Sequence, residues 1–125
     1  MSLSILVVED EAVVAIDLEL ALEEMGHRVT GAGRLSEALD AVESNAFDLA
    51  ILDVNLNGEA SYPIAERLAQ KGVPFVFLTG YGSEGLDQQW QASPVFQKPM
   101  QRAELASLLS ATEQRGPGAG APVEG

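Results

Sequence analysis

Three acidic residues and one lysine follow apolar runs of this chain, and together they could hold a metal ion beside a reactive carboxylate. They are Glu9 and Asp10 after the run 3–8, Asp53 at the end of the run 47–53, and Lys98 after the run 94–97. Converging carboxylates repel one another, and a hard cation relieves that repulsion. Mg²⁺ suits one or two carboxylates together with water and a phosphate group.

Asp53 is the natural nucleophile of this set, because carboxylates accept phosphoryl groups and form aspartyl phosphates. Phosphoryl transfer depends mainly on positioning and charge neutralisation. The ammonium of Lys98 can neutralise charge on the phosphoryl oxygens. The hydroxyl of Thr79, which ends another apolar run, can donate to the same oxygens. The residue types therefore predict phosphoryl transfer assisted by a divalent cation.

Strand-like and helix-like segments alternate along the chain and would position these residues. The first helix is predicted from the helical spacing of Val13, Val14, Ile16, Leu20 and Met25. The turn dipeptide Asn57-Gly58 lies between the third strand and the third helix. The predicted strands are 3–8, 28–32, 48–53, 74–79 and 94–97, and the predicted helices are 11–25, 36–45, 61–71, 86–91 and 101–113. The helix over about 86–91 is expected to be short or frayed, because Gly80, Gly82 and Gly85 precede it.

Five strand–helix units predict an α/β fold with a doubly wound, five-stranded parallel sheet. Right-handed crossovers favour the flavodoxin-like strand order 2-1-3-4-5, in which strands one and three are neighbours at the ligand-binding edge. That order places Asp10 beside Asp53. We expect residues 1–115 to form one domain and the Gly-rich residues 116–125 to form a flexible tail or linker.

The composition excludes several functional classes. The formal net charge of -12 disfavours direct binding to nucleic acid or to an anionic membrane. The chain has no cysteine, so disulfide and thiol chemistry are absent. No apolar run approaches the roughly 18–20 residues that span a bilayer, and the N-terminus does not resemble a signal peptide. We therefore expect a cytoplasmic protein, either complete or cut from a longer chain.

The chain resembles the receiver domains of two-component response regulators over roughly residues 3–113. The resemblance rests on four motifs that follow successive strands. They are Glu9-Asp10, Leu52-Asp53, Thr79-Gly80 and Lys98-Pro99. It implies a phosphoacceptor module, not an enzyme, in which Asp53 receives a phosphoryl group from a histidine kinase or a histidine phosphotransfer protein. It also implies Mg²⁺ held by Asp10, Asp53 and the backbone carbonyl of Asn55, with Glu9 acting through water.

The switch region departs from the usual family pattern. Val95 occupies the position, three residues before the lysine, where many receivers have an aromatic switch residue. The stretch 74–82 resembles a receiver subgroup with a Phe-x-Thr-Gly-Tyr-Gly type motif, whose members often stand alone. We therefore expect Thr79 to move toward the phosphoryl group with Gly80, Tyr81 and Gly82, so that a downstream protein partner is selected.

Other functions remain open on the same fold. A flavin-binding protein would need a neutral Ser/Thr/Gly-rich loop after the first strand, where this chain has Glu9-Asp10-Glu11. An Asp-nucleophile phosphatase commonly has a general-acid Asp two residues after the nucleophile, where this chain has Asn55. A receiver-like module that binds partners without phosphorylation is the principal alternative.

Overall fold

The computed structural model describes residues 2–80, 86, 88–90 and 93–115 as an α/β domain. The α-helices are α1 Ala12–Glu24, α2 Leu35–Ser44, α3 Tyr62–Gln70 and α4 Arg102–Arg115, and a short 3₁₀ helix spans Gln88–Trp90. The strands are β1 Ser4–Val8, β2 Arg28–Ala32, β3 Leu49–Asp53, β4 Asn55–Leu56, β5 Glu59–Ala60, β6 Phe75–Thr79 and β7 Val95–Gln97.

The main sheet has five parallel strands in the order β2-β1-β3-β6-β7. The predicted order 2-1-3-4-5 is confirmed, since β6 and β7 are the fourth and fifth strands of this sheet. In the register of β1 and β3, Val8 lies opposite Leu52. Glu9 and Asp10 therefore leave the sheet next to the strand that ends at Asp53.

Alternate residues of the central strands face the two sides of the sheet. Ile5 and Val7 of β1 lie in a core with residues of α1 and α4. Leu6 and Val8 lie in a second core with residues of α2 and α3. Both faces of the sheet are thus covered, as the continuous apolar runs of these strands predict.

A small hairpin, β4–β5, separates β3 from α3 and was not predicted as strands. Asn55 pairs with Ala60 in this antiparallel hairpin. Its turn places Asn57 at φ 53° and Gly58 at φ 89°. Asn-Gly is favoured in a two-residue hairpin turn because both of its positions need positive φ. The predicted turn is therefore present, and it closes a hairpin beside the sheet edge.

Helix α1 is confirmed, but the apolar residues that predicted it are not the residues that α1 buries. Its buried residues are Leu18, Ala21 and Leu22. Val13, Ile16 and Leu20 are instead exposed, at 73%, 54% and 51%. A periodic apolar pattern indicates a helix, but here two stripes are apolar and only packing selects one for the core.

Part of the short helix predicted over about 86–91 lies outside the described residues. Within the described residues, Gln88–Trp90 forms a 3₁₀ helix rather than an α-helix. Residues 81–85, 87 and 91–92 lie outside the described residues, as does the segment 116–125 that was expected to be a tail. Helix α4 extends to Arg115, two residues beyond its predicted end.

Candidate functional site

The carboxyl ends of the strands place several of the predicted site residues around a cavity of ≈ 890 Å³. Asp53 ends β3 and is 5% exposed, and Thr79 ends β6 and is 4% exposed. The lining includes Asp10, Asn55 and Lys98. Parallel strands all present their carboxyl ends at the same edge, which explains why residues far apart in sequence meet here.

Lys98 is the cationic centre of the site. Its Nζ lies 3.1 Å from Asp53 Oδ2, 3.0 Å from Glu9 Oε1 and 3.1 Å from Glu11 Oε1. The lysine is held at the sheet edge by its own backbone, since its N–H donates to the carbonyl of Thr79 at 2.9 Å. One ammonium thus compensates acids that follow β1 and end β3.

Glu9 is buried, at 3% exposure, although it is an acid. Its Oε2 accepts a hydrogen bond from the backbone N–H of Glu11 at 3.0 Å and one from Lys98 Nζ at 3.3 Å. A buried carboxylate needs such compensation because desolvation disfavours its charged form. Glu9 is therefore fixed in place by the β1–α1 turn and by Lys98.

Asp10 points toward the small hairpin. Its Oδ2 accepts a hydrogen bond from the backbone N–H of Asn57 at 3.0 Å. The side chain of Asn55 is engaged within the same turn, where its Oδ1 accepts from the backbone N–H of Gly58 at 2.7 Å. The hairpin, which the sequence predicted only as a turn, is thus hydrogen-bonded to Asp10, one of the acids that follow β1.

The environment of the site shifts the pKa values of Asp53 and Asp10 in opposite directions. Burial raises the pKa of Asp53 to about 7, with a further increase from the charge of Glu9, although Lys98 acts in the opposite direction. Burial also acts to raise the pKa of Asp10, but hydrogen bonds with Asp53 and with the backbone N–H of Asn57 outweigh it and lower that pKa. When two carboxylates lie close together in different environments, their pKa values are expected to move apart in this way.

Lys98 responds in the complementary direction. Burial acts to lower the pKa of its ammonium, but hydrogen bonds to Glu9, Asp53 and Glu11 outweigh burial and raise it. The lysine is therefore charged throughout the physiological pH range. Such perturbed groups in a cavity are typical of functional sites.

The donor set fits a hard divalent cation. Carboxylate oxygens of Glu9, Asp10 and Asp53 lie within 4.8 Å of one another. All three are oxygen ligands, which Mg²⁺ prefers, and Asp10 is partly open to the cavity that would admit water. Asn55 lines the same cavity. The three carboxylates predicted to bind the metal therefore lie close together.

The residues of the predicted switch are only partly described. Thr79 lies at the end of β6, and both Thr79 and Gly80 line the cavity. Tyr81 and Gly82 lie outside the described residues. Val95, on β7, is half-buried against the α2–α3 core.

Two residues at the site were given no role from the sequence. Glu11 contacts Lys98, as described above, and its position beside the Glu9-Asp10 pair was the only available signal. Tyr62, the first residue of α3, lines the cavity and stacks on Trp90, with ring centroids 6.0 Å apart and an interplanar angle of 9°. Its ring also contacts Phe77 edge-on at 5.9 Å. No local pattern identifies these contacts, because they join separate elements.

The domain is a doubly wound α/β fold, and acids and a lysine surround an aspartate at the end of one of its strands. These are the features of a phosphoacceptor signalling domain. Comparison with known proteins identifies the family. Residues 5–110 match the response regulator receiver domain, and the chain belongs to this family. It is a receiver domain of the two-component response regulators, whose typical role is to be phosphorylated by a kinase.

Individual relatives agree with this assignment. The phyllosphere-induced regulator PhyR of Methylorubrum extorquens is 34% identical over 116 residues, which are 88% of this chain and 43% of that protein. The solution structure of SdrG from Sphingomonas melonis Fr1 is 41% identical, with a TM-score of 0.78, and the match covers 90% of this chain and 97% of that one. The chain spans about half the length of the curated relatives that it matches.

A third relative bears on the metal. The receiver domain of the sensor histidine kinase PA1611 from Pseudomonas aeruginosa PAO1 is 27% identical, with a TM-score of 0.77. The match covers 89% of this chain and 97% of that one, and that crystal structure has a magnesium ion coordinated in the active site cleft.

Within the part of the present chain that the structure describes, no helix is both long and apolar enough to cross a membrane.

Proposed function

We propose that Asp53 accepts a phosphoryl group from a histidine kinase or a histidine phosphotransfer protein, with Mg²⁺ as the cofactor. The observation that supports this most strongly is the position of Asp53. It lies 3.1 Å from the Lys98 ammonium and within 4.8 Å of the carboxylates of Glu9 and Asp10. Such a site combines a nucleophile, a fixed cation and a donor set for a divalent metal.

In the proposed transfer, one carboxylate oxygen of Asp53 attacks the phosphorus of a phosphohistidine. A P–O bond forms, the P–N bond breaks, and the electron pair of that bond remains on the imidazole nitrogen, which takes up a proton. Lys98 and the hydroxyl of Thr79 stabilise the negative charge on the phosphoryl oxygens. Asp10, Asp53 and the backbone carbonyl of Asn55, with Glu9 acting through water, would hold Mg²⁺, and the ion would supply further charge neutralisation.

The domain acts in this proposal as a phosphoacceptor, not as an enzyme that turns over an external substrate. Asp53 is itself modified, and the residues around it assist its own phosphorylation and dephosphorylation. The modified state then presents a different surface to a downstream protein partner. We propose that this signalling event takes place in the cytoplasm.

The exposed stripe of α1 is the proposed docking surface of the phosphodonor. The stripe consists of Val13, Ile16 and Leu20 and begins two residues after Glu11, which lines the cavity. A donor that delivers a histidine to Asp53 must cover the cavity mouth and the adjoining start of α1. Acids elsewhere on α1, at Asp17, Glu19, Glu23 and Glu24, favour a donor whose apolar contact is flanked by basic residues.

Intact-mass spectrometry tests the proposal that Asp53 is the phosphoacceptor. Incubation with acetyl phosphate and Mg²⁺ should add one phosphoryl group by intact-mass spectrometry, and Asp53→Ala should remove that adduct. An adduct that persists in Asp53→Ala would place the acceptor elsewhere. A parent protein without any adduct would favour a binding module that works without phosphorylation.

The docking surface is tested separately with Ile16→Asp. This variant should slow transfer from a phosphorylated histidine phosphotransfer domain but leave the reaction with acetyl phosphate unchanged. Ala111→Asp, which adds an acid at an exposed position of α4, is a matched control for a surface change. Equal transfer rates for Ile16→Asp and the parent would exclude the α1 stripe.

A further inference from the structure

Glu11 contacts the reactive centre but has no part in the proposed transfer. Its Oε1 lies 3.1 Å from Lys98 Nζ, and its side chain is 62% exposed at the cavity mouth. Its backbone N–H donates to Glu9 Oε2 at 3.0 Å. The residue therefore connects the lysine with the turn that follows β1.

The three donors of the Lys98 ammonium match three surrounding carboxylates. A lysine ammonium has three N–H donors and no acceptor. The acids of Glu9, Glu11 and Asp53 each have an oxygen within 3.1 Å of Nζ. Additional donation to a phosphoryl group on Asp53 therefore requires that Lys98 weaken at least one of these contacts.

The Glu11 contact is the one that is most easily released. Glu9 is buried and is also fixed by a backbone hydrogen bond, and Asp53 is the group that becomes phosphorylated. Glu11, in contrast, is largely in solvent, and exposed ion pairs are weak. Its carboxylate holds the lysine from the outer side of the site, where the cavity opens.

We propose that Glu11 is a positioning residue that holds Lys98 toward the cavity mouth in the unphosphorylated domain and thereby restrains phosphorylation of Asp53. This inference rests on the proposed phosphoacceptor function. In the restrained arrangement, the ammonium is shared among three acids. Loss of the Glu11 contact frees one donor for the incoming phosphoryl oxygens.

The effect of the Glu11–Lys98 contact on the phosphorylation rate must be distinguished from the effect of the negative charge of Glu11. That charge also repels an anionic phosphodonor. Glu11→Gln removes the charge and retains the length of the side chain. Glu11→Asp retains the charge but is one methylene shorter, so its carboxylate no longer reaches Lys98 in the same geometry. Glu23→Gln, which removes an exposed acid near the other end of α1, controls for the change in net charge.

The first readout is spectroscopic and needs neither metal nor phosphate. The ¹³Cε and ¹⁵Nζ chemical shifts of Lys98 should change in both Glu11→Gln and Glu11→Asp and stay unchanged in Glu23→Gln. The second readout is the rate of Asp53 phosphorylation by acetyl phosphate and Mg²⁺. Both Glu11 variants should react about 2- to 5-fold faster than the parent, a range that matches the weakness of an exposed ion pair.

Each outcome supports or overturns the inference. A faster Glu11→Gln with Glu11→Asp at the parent rate would show that charge alone matters and would overturn the positioning role. Unchanged Lys98 shifts, or parent rates in both variants, would also overturn it. These results differ from failure of the proposed function itself, in which the parent protein acquires no adduct on Asp53 and the restraint has nothing to act on.

Discussion

Lys98 Nζ and Asp53 Oδ2 lie 3.1 Å apart, so the ammonium is paired with the candidate nucleophile before any phosphoryl group arrives. The pair joins the end of β7 to the end of β3, and the side chains of both residues are mostly shielded from solvent. The same ammonium also compensates the buried Glu9. Lys98 therefore contributes to the stability of the unmodified site as well as to its proposed chemistry.

Lys98→Ala should lower the stability of the metal-free protein. Without the ammonium, Glu9 and Asp53 remain as close, poorly solvated acids, and we expect a loss of about 1–3 kcal/mol in the free energy of unfolding. Mg²⁺ should reduce this loss, because the ligand oxygens of the proposed metal site are intact. Urea unfolding with and without Mg²⁺ measures both effects. An unchanged stability in the variant would indicate that the pair contributes nothing to the fold.

Asp53→Asn should stabilise the metal-free protein increasingly as the pH rises. The pKa of Asp53 is raised from 3.8 to about 7, so between these values the folded state binds more protons than the unfolded state. Stability from this group is therefore lost as the pH rises toward 7. The variant avoids that loss, and its advantage over the parent should reach about 1–3 kcal/mol at pH 8 and be small below pH 4.

Urea unfolding of the parent and Asp53→Asn at several pH values, in EDTA, measures this difference. Asp40→Asn, which changes an exposed acid of α2, is the matched control and should show no such trend. A constant difference between Asp53→Asn and the parent across this pH range would contradict the raised pKa of Asp53.

Mg²⁺ should raise the melting temperature of the parent protein, since a ligand that binds only the folded state stabilises it. The relief of repulsion among Glu9, Asp10 and Asp53 supplies the binding energy. Asp10→Ala should abolish the Mg²⁺-dependent shift, whereas the exposed control Asp40→Ala should retain it. Differential scanning fluorimetry over a Mg²⁺ titration measures the shift. If Asp10→Ala keeps the full response, the metal binds elsewhere.

Phosphorylation should alter the fluorescence of Trp90, the single tryptophan of the chain. Its indole stacks on Tyr62, which lines the cavity, and the indole N–H is buried without a hydrogen-bond partner among the described residues. A movement of Thr79, which lines the same cavity as Tyr62, would change this environment. The emission spectrum should therefore shift on reaction with acetyl phosphate and Mg²⁺.

Tyr62→Leu should reduce that emission change without preventing the phosphorylation of Asp53, because it removes the stacking contact. NMR provides an independent check, with the largest amide shifts expected across residues 79–92. Full phosphorylation by mass spectrometry with no change in emission or in these amides would refute a switch through this region.

The order of the sheet and the identity of its functional edge were predictable from local patterns. Each central strand is a short apolar run, and parallel strands that alternate with helices form very few topologies. Residues directly after such runs must meet at one edge. This reasoning brought Asp10, Asp53, Thr79 and Lys98 together without any knowledge of side-chain positions.

Contacts between separate elements could not be predicted in the same way. The stripe of α1 that enters the core was ambiguous, because Val13, Ile16 and Leu20 are as apolar as the residues that are buried. The role of Asn57 beyond its turn was also hidden, since its hydrogen bond to Asp10 depends on how the hairpin packs against the sheet edge.

The partners of Lys98 are the clearest example of contacts that local sequence patterns do not predict. The Lys-Pro dipeptide after the last strand indicated a functional lysine, and the strand order placed it near Asp53. That Glu9 and Glu11 share the same ammonium follows only from the path of the β1–α1 turn. Sequence spacing limits which strand ends are neighbours, but side-chain length, burial and competition for three N–H donors decide which charges pair.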